Sequence, residues 1–527
     1  MNVRHPWVFF AQIGAALAVA GFVSGCGDNY RPVIEPVNPN GPPAQPTSNV
    51  IAVSSTGQST PGIVTIIDYS GDSIMAEVPV GPNPKVFTID ETGSTGYTIN
   101  GNGTLSNFAL STSLQAKNVS ESTLPSPTSQ PVNLMAPSSG LWATDLTGDT
   151  VDIFSGSPES YKRSVPLGSP TSPATMPVMV TGAPLITGVR EFVLSQNVPD
   201  TAPLTCNNPA NFASAPVGVV TPIENSSFTA DPEISVGKCP VYALESSDQQ
   251  RFYVLNRGDD TITVINAPND TLDACTPFTN QNGQTVHCHP TLPLSLNAVA
   301  ATGITPPNGT AGMTASSGPV YAEYNAATQQ LVVADYDGGT ISVIDVSLDQ
   351  YGNDSSTFGT TYTIPVGNTA TPNPASVTVL YDGSKAYTAN QNDDSGTGNG
   401  TVTVVNLSTY TVEKTLTVVG HPRTVVNTQN SEYSKIYVAS PDSPFITIIE
   451  STPTVTDLID TTVLLEGTAV DVRTTTQNGT SGNALFWSRV PGYGQPCNLS
   501  AGQLAANYGA NYLSTLTLEE CEGQALP

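Results

Sequence analysis

The stretch AYTAN at residues 386–390, followed after a turn by TVTVVN at 401–406, decides the fold of this chain. The same phrase returns as LVVAD and TISVID within 331–345, and as FYVLN and TITVIN within 252–266. Alternating β-branched residues between Gly, Asn and Asp turns predict short strands. One small sheet of such strands cannot bury both of its faces, so we expect the repeats to pack against one another.

A full sequence unit contains four strands, as in IVTIID at 63–68, a second strand that ends in VGPNP at 80–84, VFTID at 86–90 and GYTIN at 96–100. Several units follow one another at a spacing of about 40 residues, the period of a four-stranded propeller blade. The predicted unit starts are Ile63, Thr104, Thr150, Val217, Thr261, Thr340, Thr401 and Phe445. The pattern therefore predicts an all-β protein, a β-propeller of four-stranded blades.

These phrases resemble the YVTN family of bacterial β-propellers. The resemblance rests on the V-G-x-x-P turn at 236–240, the Tyr-Asp-Gly turn at 381–383 and the strand IYVAS at 436–440. It covers roughly residues 49–490 and implies a propeller whose repeat carries no catalytic constellation of its own. The family norm is seven blades, whereas the eight unit starts favour eight.

Both ends of the repeat region are expected to close the ring. The N-terminal strand VIAV at 50–53 is predicted to complete the last blade, together with strands at 445–450, 463–466 and 468–473. Such closure removes the free edge of a sheet. The stretch ALFW at 484–487 competes for the same slot, so the predicted count stays at seven or eight blades.

The first residues have the composition of an export signal. Arg4 precedes an uncharged apolar run from Trp7 to Val23, and small residues come just before Cys26. A basic start, an apolar stretch and small residues at the cut predict a secretory signal over 1–25. The Cys resembles the lipidated residue of a bacterial lipobox. Two alternatives are a plain signal peptide and a retained membrane helix, although a span needs about 20 apolar residues.

Four further segments follow from composition. Residues 26–48 are Pro-rich and predict an extended tether of about 3.1 Å per residue. The propeller is expected over 49–490, with insertions near 201–215, 269–317 and 391–400, and a capping tail over 491–527. By resemblance to bacterial sorting rules, Gly27 instead of Asp after the Cys favours the outer membrane. The expected location is therefore the bacterial cell envelope, facing the periplasm or the cell surface.

The charge balance excludes one class of partner. The chain has 16 basic and 43 acidic residues, a formal charge of -27, and its Lys and Arg residues are not clustered. Binding to nucleic acid needs such clusters, so we expect no nucleic-acid partner. The acidic surface also repels anionic lipid headgroups, which leaves the lipid anchor as the expected membrane contact.

The cysteines predict disulfides. Seven are present, and six remain when Cys26 is set aside, which suits an exported chain. Pairing sequence neighbours predicts three bridges: Cys206–Cys239, Cys275–Cys288 and Cys497–Cys521. The rival interpretation is a metal site built from Cys275, His287, Cys288 and His289. Adjacent residues on an extended chain point to opposite sides, which is poor tetrahedral geometry.

Acidic residues recur where the last strand of a sequence unit turns into the next unit. In a propeller these turns meet on one face, so they form the candidate binding set: Asp259, Asp260, Asp335, Asp337, Asp393 and Asp394. Oxygen ligands at this density could hold Ca²⁺. The alternative is local, since Asp and Asn cap tight turns with their own side chains.

No catalytic motif is present, and no cofactor other than Ca²⁺ is suggested. We therefore expect a monomeric, non-catalytic binding or scaffold domain with an envelope protein or polysaccharide as partner. The loop between Cys275 and Cys288 is the first candidate for the contact, because recognition usually lies on loops of a rigid scaffold. The alternative is a propeller enzyme, lactonase-like or dehydrogenase-like, or a Ca²⁺-dependent binder that uses the acidic face.

Overall fold

The computed structural model of the chain describes residues 49–474 except 91, 111–118, 138–139, 169–173, 183–189, 200–204, 208, 280–282, 284, 295–316, 395 and 452–456. The predicted signal, tether and tail lie outside the described residues, as do Cys26, the Cys497–Cys521 bridge and the stretch at 484–487. The described part of the chain contains no helix with the length and hydropathy of a membrane span.

The described strands form eight blades, each with four strands or with an outer strand split in two, arranged in a ring. Blade 1 contains β1 (Asn49–Ser55), β2 (Pro61–Asp68) and β3 (Ser73–Pro82), and blade 2 contains β4 (Pro84–Ile89), β5 (Thr95–Asn100), β6 (Thr104–Ala109) and β7 (Val119–Thr123). Blade 3 contains β8 (Pro131–Met135), β9 (Leu141–Asp145), β10 (Thr150–Gly156) and β11 (Glu159–Pro166). Blade 4 contains β12 (Pro177–Gly182), β13 (Arg190–Ser195), β14 (Val217–Glu224), β15 (Thr229–Ala230) and β16 (Ile234–Lys238).

The second half of the ring continues in the same order. Blade 5 contains β17 (Pro240–Glu245), β18 (Arg251–Asn256), β19 (Thr261–Asn266), β20 (Thr271–Leu272) and β23 (Thr291–Pro293), and the small hairpin β21 (Phe278–Thr279) and β22 (Thr285–Val286) lies between the last two. Blade 6 contains β24 (Pro319–Asn325), β25 (Gln330–Asp335), β26 (Thr340–Asp345) and β27 (Thr361–Pro365), and blade 7 contains β28 (Pro374–Val379), β29 (Lys385–Asn390), β30 (Thr401–Asn406) and β31 (Thr411–Thr417). Blade 8 contains β32 (Thr424–Asn427), β33 (Lys435–Ala439), β34 (Phe445–Glu450) and β35 (Leu458–Leu464), and the last strand, β36 (Thr468–Thr474), joins blade 1. Short 3₁₀ helices occur at Thr205–Asn207, Pro209–Ser214 and Ala267–Asn269.

The two ends of the repeat region close the ring, as predicted. β1 pairs antiparallel with β36, with Ile51 opposite Arg473 and Val53 opposite Asp471. The predicted partners at 445–450 and 463–466 were wrong, because they lie in β34 and β35 of blade 8. The chain from β32 to β35 pairs each strand with the next along the chain, so these strands complete blade 8 before the chain reaches β36. The prediction of a propeller with seven or eight blades is confirmed, and the count is eight, the number that the repeat count favoured.

Burial follows the position of each strand in its blade. The innermost strands β17 and β28 are buried along their whole length, whereas the outer strand β31 is exposed at several positions. These inner strands contact a neighbouring blade on each face, so all of their residues are buried, including polar ones such as Glu245 and Thr378. None of the residues of β31 is buried, because an outer strand borders the solvent.

In four of the blades, a side chain at the end of the second strand ties it to the third. In blade 7, Nδ2 of Asn390 donates to the hydroxyls of Thr401 at 3.0 Å and Thr403 at 2.8 Å. Equivalent hydrogen bonds are made by Asn100, Asn256 and Asp335. This strand-end staple explains why the repeat pairs a final Asn or Asp with a Thr-x-Thr or Thr-x-Ser strand.

A second recurring contact joins neighbouring blades. In blade 7, the Lys385 ammonium and the Tyr387 hydroxyl both bond the Asp457 carboxylate, which lies on the turn between β34 and β35 of blade 8. We call this arrangement an inter-blade latch. Related ion pairs or hydrogen bonds to the next blade are made by Lys435 and Tyr437 to Asp72, by Arg251 to Asp354, by Arg190 to Asp270, and by Tyr97 to Glu159.

Candidate functional site

The six predicted acidic residues lie on the upper face, the face that carries the turns between second and third strands and the connections into the next blade. Asp335 is fully buried and accepts hydrogen bonds from the hydroxyls of Ser317, Thr340 and Ser342, at 2.7, 3.0 and 2.6 Å. Burial raises the pKa of Asp335 to about 7, against the opposing effect of these three hydroxyls. Its contacts are those of a strand-end staple.

Asp393 and Asp259 hold the connection that enters their own blade. The Asp393 carboxylate accepts the backbone N–H groups of Asn368 and Thr369 at 2.6–2.8 Å. Asp259 accepts the N–H of Lys238 at 3.0 Å. A carboxylate that accepts backbone donors in this way caps a turn, in agreement with the local interpretation of the acidic residues.

The other three candidates are also engaged. Asp337 receives a bidentate pair of hydrogen bonds from Arg257, at 2.8 and 2.7 Å. Asp260 accepts the N–H of Gly318, and Asp394 accepts N–H groups of its own loop. Among the described residues, no group of three or more His, Cys, Asp or Glu side chains is arranged to hold a metal ion.

An ionisable cluster lies at the propeller axis instead, on the innermost strands. Tyr242 of β17 and Tyr321 of β24 have ring centroids 4.6 Å apart, and the positive charge of Arg473 on β36 acts on both phenols. β36 belongs to blade 1 and β17 to blade 5, which are on opposite sides of the eight-bladed ring, so this interaction crosses the axis. With Glu323 and Asp471 these residues form what we call the axial cluster, and all five are less than a tenth exposed.

The Arg473 guanidinium contacts a carboxylate and an aromatic ring. Its Nε and Nη2 donate to Oδ2 of Asp471 at 3.2 and 3.0 Å, and its central carbon lies 5.6 Å from the Phe87 ring centroid. The third nitrogen, Nη1, is buried and has no hydrogen-bond partner among the described residues. An unsatisfied buried donor of a charged group is costly, so its presence points to a partner such as a ligand or water.

Glu323 is the second acid of this cluster, beside Asp471. Burial raises its pKa to about 7, and hydrogen bonds from Thr378 and from the Val379 backbone oppose the shift. Its Oε2 atom has no hydrogen-bond partner within the described part of the chain. A carboxyl group with a pKa near neutrality populates both protonation states, which is what a general acid or base requires.

The insertion before β14 lies against the start of blade 5 on the upper face. The Cys206–Cys239 disulfide joins it to the start of blade 5, as predicted. Phe212 of the insertion lies against Arg257, with 5.6 Å between the guanidinium carbon and the ring centroid, and Tyr336 lies 5.4 Å from the same guanidinium. The insertion is thus fastened both covalently and by aromatic–cation contact.

The insertion around the second disulfide is braced against blade 6. Cys275 and Cys288 are bridged, as predicted, so their sulfur atoms do not form the alternative metal site. Nδ1 of His289 lies 2.8 Å from Oδ2 of Asp354, the same carboxylate that takes the Arg251 latch at 3.2 Å. His289 also stacks on Phe358 at 5.2 Å. The loop predicted to bind a partner is therefore partly a structural element.

Sequence reasoning did not find the axial cluster. Tyr242 and Tyr321 stand two residues after Pro240 and Pro319, the prolines that begin their innermost strands. The equivalent position in blade 7 is Ser376. A bulky aromatic residue at this point of an inner strand is the signal that could have indicated a special role.

Comparison with known proteins supports the fold. No protein-family model and no curated protein matches the sequence. Among solved structures, dihydro-heme d1 dehydrogenase NirN in complex with DHE is similar with a TM-score of 0.52 and 12% identity, over 82% of this chain and 76% of that one. A putative 6-phosphogluconolactonase from Bacteroides fragilis gives 0.46 and 13%, over 82% and 99%. The periplasmic gluconolactonase PpgL from Pseudomonas aeruginosa gives 0.45 and 13%, over 81% and 98%. At these identities the likeness concerns the β-propeller architecture alone.

Proposed function

We propose that this protein is a lipid-anchored β-propeller of the bacterial cell envelope, of the YVTN repeat type, and that it acts on a small molecule bound at the axial cluster. The proposal takes the enzyme alternative over the non-catalytic one. The observation that carries it is Glu323, a buried carboxyl group with a pKa of about 7 and a free Oε2 among the described residues.

The chemistry of the neighbours supports this role for Glu323. Arg473 offers Nη1, a charged donor, in the same cluster, and Tyr242 and Tyr321 bring two phenols to the axis. Preorganised donors of this kind stabilise negative charge that develops on a carbonyl or carboxylate oxygen. Glu323 would exchange the proton that such a reaction moves. The substrate class is therefore a small molecule with a carbonyl or carboxylate group.

Export and anchoring rest on the sequence. The signal at 1–25 and Cys26 support a lipid anchor, and the Pro-rich stretch at 26–48 supports a tether that separates the propeller from the membrane. Two disulfides within the described residues agree with an oxidising compartment.

A non-catalytic binding domain is the second candidate, with an envelope protein or polysaccharide as partner. One observation favours it: the Cys275–Cys288 loop is fixed at both ends, by its disulfide and by the His289–Asp354 contact. A pre-ordered loop loses less conformational entropy on binding than a free one.

The test compares two buried acids in the purified mature domain. Glu323→Gln removes an acid at the propeller axis. The control, Asp335→Asn, removes another buried acid and introduces the Asn that forms the strand-end staple in other blades. The substrates named for the structural neighbours are the first probes: gluconolactone for hydrolysis, and a dye-linked oxidation assay for dehydrogenation. We expect turnover by the parent protein, a decrease in turnover rate of roughly 100-fold or more in Glu323→Gln, and little change in Asp335→Asn.

Turnover that survives Glu323→Gln would refute the role of this residue. Absence of turnover, with an envelope partner captured through the Cys275–Cys288 loop, would favour the second candidate.

A further inference from the structure

A separate cleft of about 480 Å³ opens on the upper face between blades 2 and 3. One wall is the turn of blade 2 at 100–103, and the other is the connection at 123–131 that leads into blade 3. Leu124 and Val132 are among its apolar lining residues. The volume lies within the range of about 300–1,000 Å³ that is usual for small-molecule sites.

The cleft exists because one bridging side chain is missing. In each blade compared, the residue after the strand-end staple donates its backbone N–H to the connection that enters the blade, as Gln391 does to Asn373 at 3.1 Å and Gly101 to Asn83 at 2.9 Å. The equivalent residues in blades 4 to 7 carry large buried side chains: Gln196, Arg257, Tyr336 and Gln391. Three of them reach the next blade, since Gln196 bonds Pro240, Arg257 bonds Asp337 and Tyr336 bonds Gln391. Glycine at position 101 leaves this space open in blade 2.

The lining of the cleft differs from the rest of the molecule in charge. The chain has 43 acidic residues and 16 basic ones, yet among the described residues that line the cleft none is acidic and Lys85 is the one cation. The remaining polar lining consists of hydroxyl and amide groups, such as those of Asn102, Ser126 and Thr128. Such groups pair with ligand hydroxyls, and an ammonium group pairs with a carboxylate.

We propose that this cleft is a binding site for a hydroxyl-rich carboxylate of sugar-acid size. The hydroxyl and amide rim binds the ligand hydroxyls, the apolar lining residues contact its carbon skeleton, and Lys85 attracts its carboxylate. The absence of acidic side chains from the described lining admits an anion that the acidic surface elsewhere repels. This site is distinct from the axial cluster and does not depend on the function proposed for it.

Gly103 provides a matched pair of variants for the test. It lines the cleft with a φ of +76°, and a Cβ added there meets no atom within 4 Å. Asn and Asp both tolerate this left-handed conformation and have the same size. Gly103→Asp therefore adds one negative charge to the cleft, and Gly103→Asn adds the same volume without charge.

The probes are glucuronate and its uncharged counterpart glucose, titrated into the mature domain by calorimetry or NMR. We expect glucuronate to bind at least fivefold more tightly than glucose. Gly103→Asp is expected to weaken glucuronate binding about fivefold, the effect of one added like charge near 4 Å in water, while glucose binding changes less than twofold. Gly103→Asn should leave the binding of both probes unchanged.

A second variant tests the position of the ligand. Gly101→Gln introduces the side chain that blades 4 and 7 carry, and its Cβ would lie 2.9 Å from Nδ2 and 3.1 Å from Cβ of Asn83, so the Asn83 side chain must shift. We expect Gly101→Gln to abolish glucuronate binding in a protein that still unfolds cooperatively on heating. Failure of glucuronate to bind the parent protein, equal binding of the two probes, or equal effects of Gly103→Asp and Gly103→Asn would overturn the proposal.

Discussion

Replacing Asp457 with Asn tests how the blades are held together. Asp457 is buried on the turn that enters β35, and its Oδ2 takes the Lys385 ammonium at 2.6 Å. Its Oδ1 takes the hydroxyls of Tyr387 at 2.6 Å and Ser451 at 3.0 Å. Asp457 has a φ of 54°, which Asn also adopts, so the substitution changes charge and acceptor number but not the backbone requirement.

The expected cost follows from these contacts. An Asn side chain has a single acceptor oxygen. When this oxygen accepts the hydrogen bonds of Tyr387 and Ser451, the NH₂ group of the amide faces the Lys385 ammonium, and two hydrogen-bond donors then oppose each other. A hydrogen bond to a charged group contributes about 1.5–3 kcal/mol, and breaking a buried ion pair costs about 3–5 kcal/mol. Lys385 is partly exposed and retains its ion pair with Glu413 at 3.0 Å, so its charge is not left unpaired. The expected loss in the free energy of unfolding is therefore that of a hydrogen bond to a charged group, about 2–3 kcal/mol.

Urea unfolding followed by intrinsic fluorescence measures this loss as a lower midpoint at unchanged slope. The control is Asp382→Asn, on an exposed turn of blade 7 where the carboxylate bonds only its own turn, at Ser384, among the contacts described. It should change the free energy of unfolding by less than about 0.5 kcal/mol. In a double-mutant cycle, Lys385→Met and Asp457→Asn should couple by about 1–2 kcal/mol. A loss within 0.5 kcal/mol for Asp457→Asn, or no coupling, would refute the latch as a stabilising contact.

Three further predictions concern other parts of the chain. Burial raises the pKa of Glu245 from 4.5 to about 8, so the stability that this group contributes is complete below the unfolded pKa and is lost as the pH rises through the folded pKa, by up to about 1.4 kcal/mol per pH unit. Glu245→Gln should therefore lose less stability than the parent protein between pH 5 and 8. An identical pH profile of stability in the two proteins would contradict this. Replacing Cys275 and Cys288 together with Ser should lower the free energy of unfolding by about 3 kcal/mol, measured by urea unfolding, and a cost near zero would show that the brace through blade 6 suffices. Cys26→Ser should release the protein from the membrane fraction on cell fractionation, and a variant that stays bound as tightly as the parent would exclude the lipid anchor.

The repeat made much of the fold predictable, because each phrase encodes a local contact. The final Asn390 of AYTAN and the Thr401 of the next strand are both visible in the sequence, and their hydrogen bond lies within one hairpin. Eight unit starts favoured eight blades over the family norm of seven, and neighbouring cysteines predicted the two bridges now seen, Cys206–Cys239 and Cys275–Cys288. Local patterns of this kind reveal pairing between neighbours along the chain.

The assignment of strands to the closing blade could not be made in the same way. Successive hairpins place β33, β34 and β35 in blade 8. Only the following strand, β36, then pairs with β1 to complete blade 1. Periodicity alone does not show at which strand of a unit a blade begins. The sequence units start at the third strand of each blade, so a unit read from the sequence spans two blades.

The sequence by itself determined the strands, their turns, the repeat count and the turn-capping acids, since each depends on residues that are close along the chain. Tertiary structure alone decided which side chains meet across the ring. Arg473 and Tyr242 are far apart along the chain and lie in blades on opposite sides of the ring, and the Arg473 charge acts on Tyr242 because eight inner strands converge at the axis. The cleft at Gly101 likewise depends on the absence of a side chain that would bridge to the neighbouring blade. Long-range contacts of this kind are set by the closed geometry of the ring, to which no local pattern corresponds.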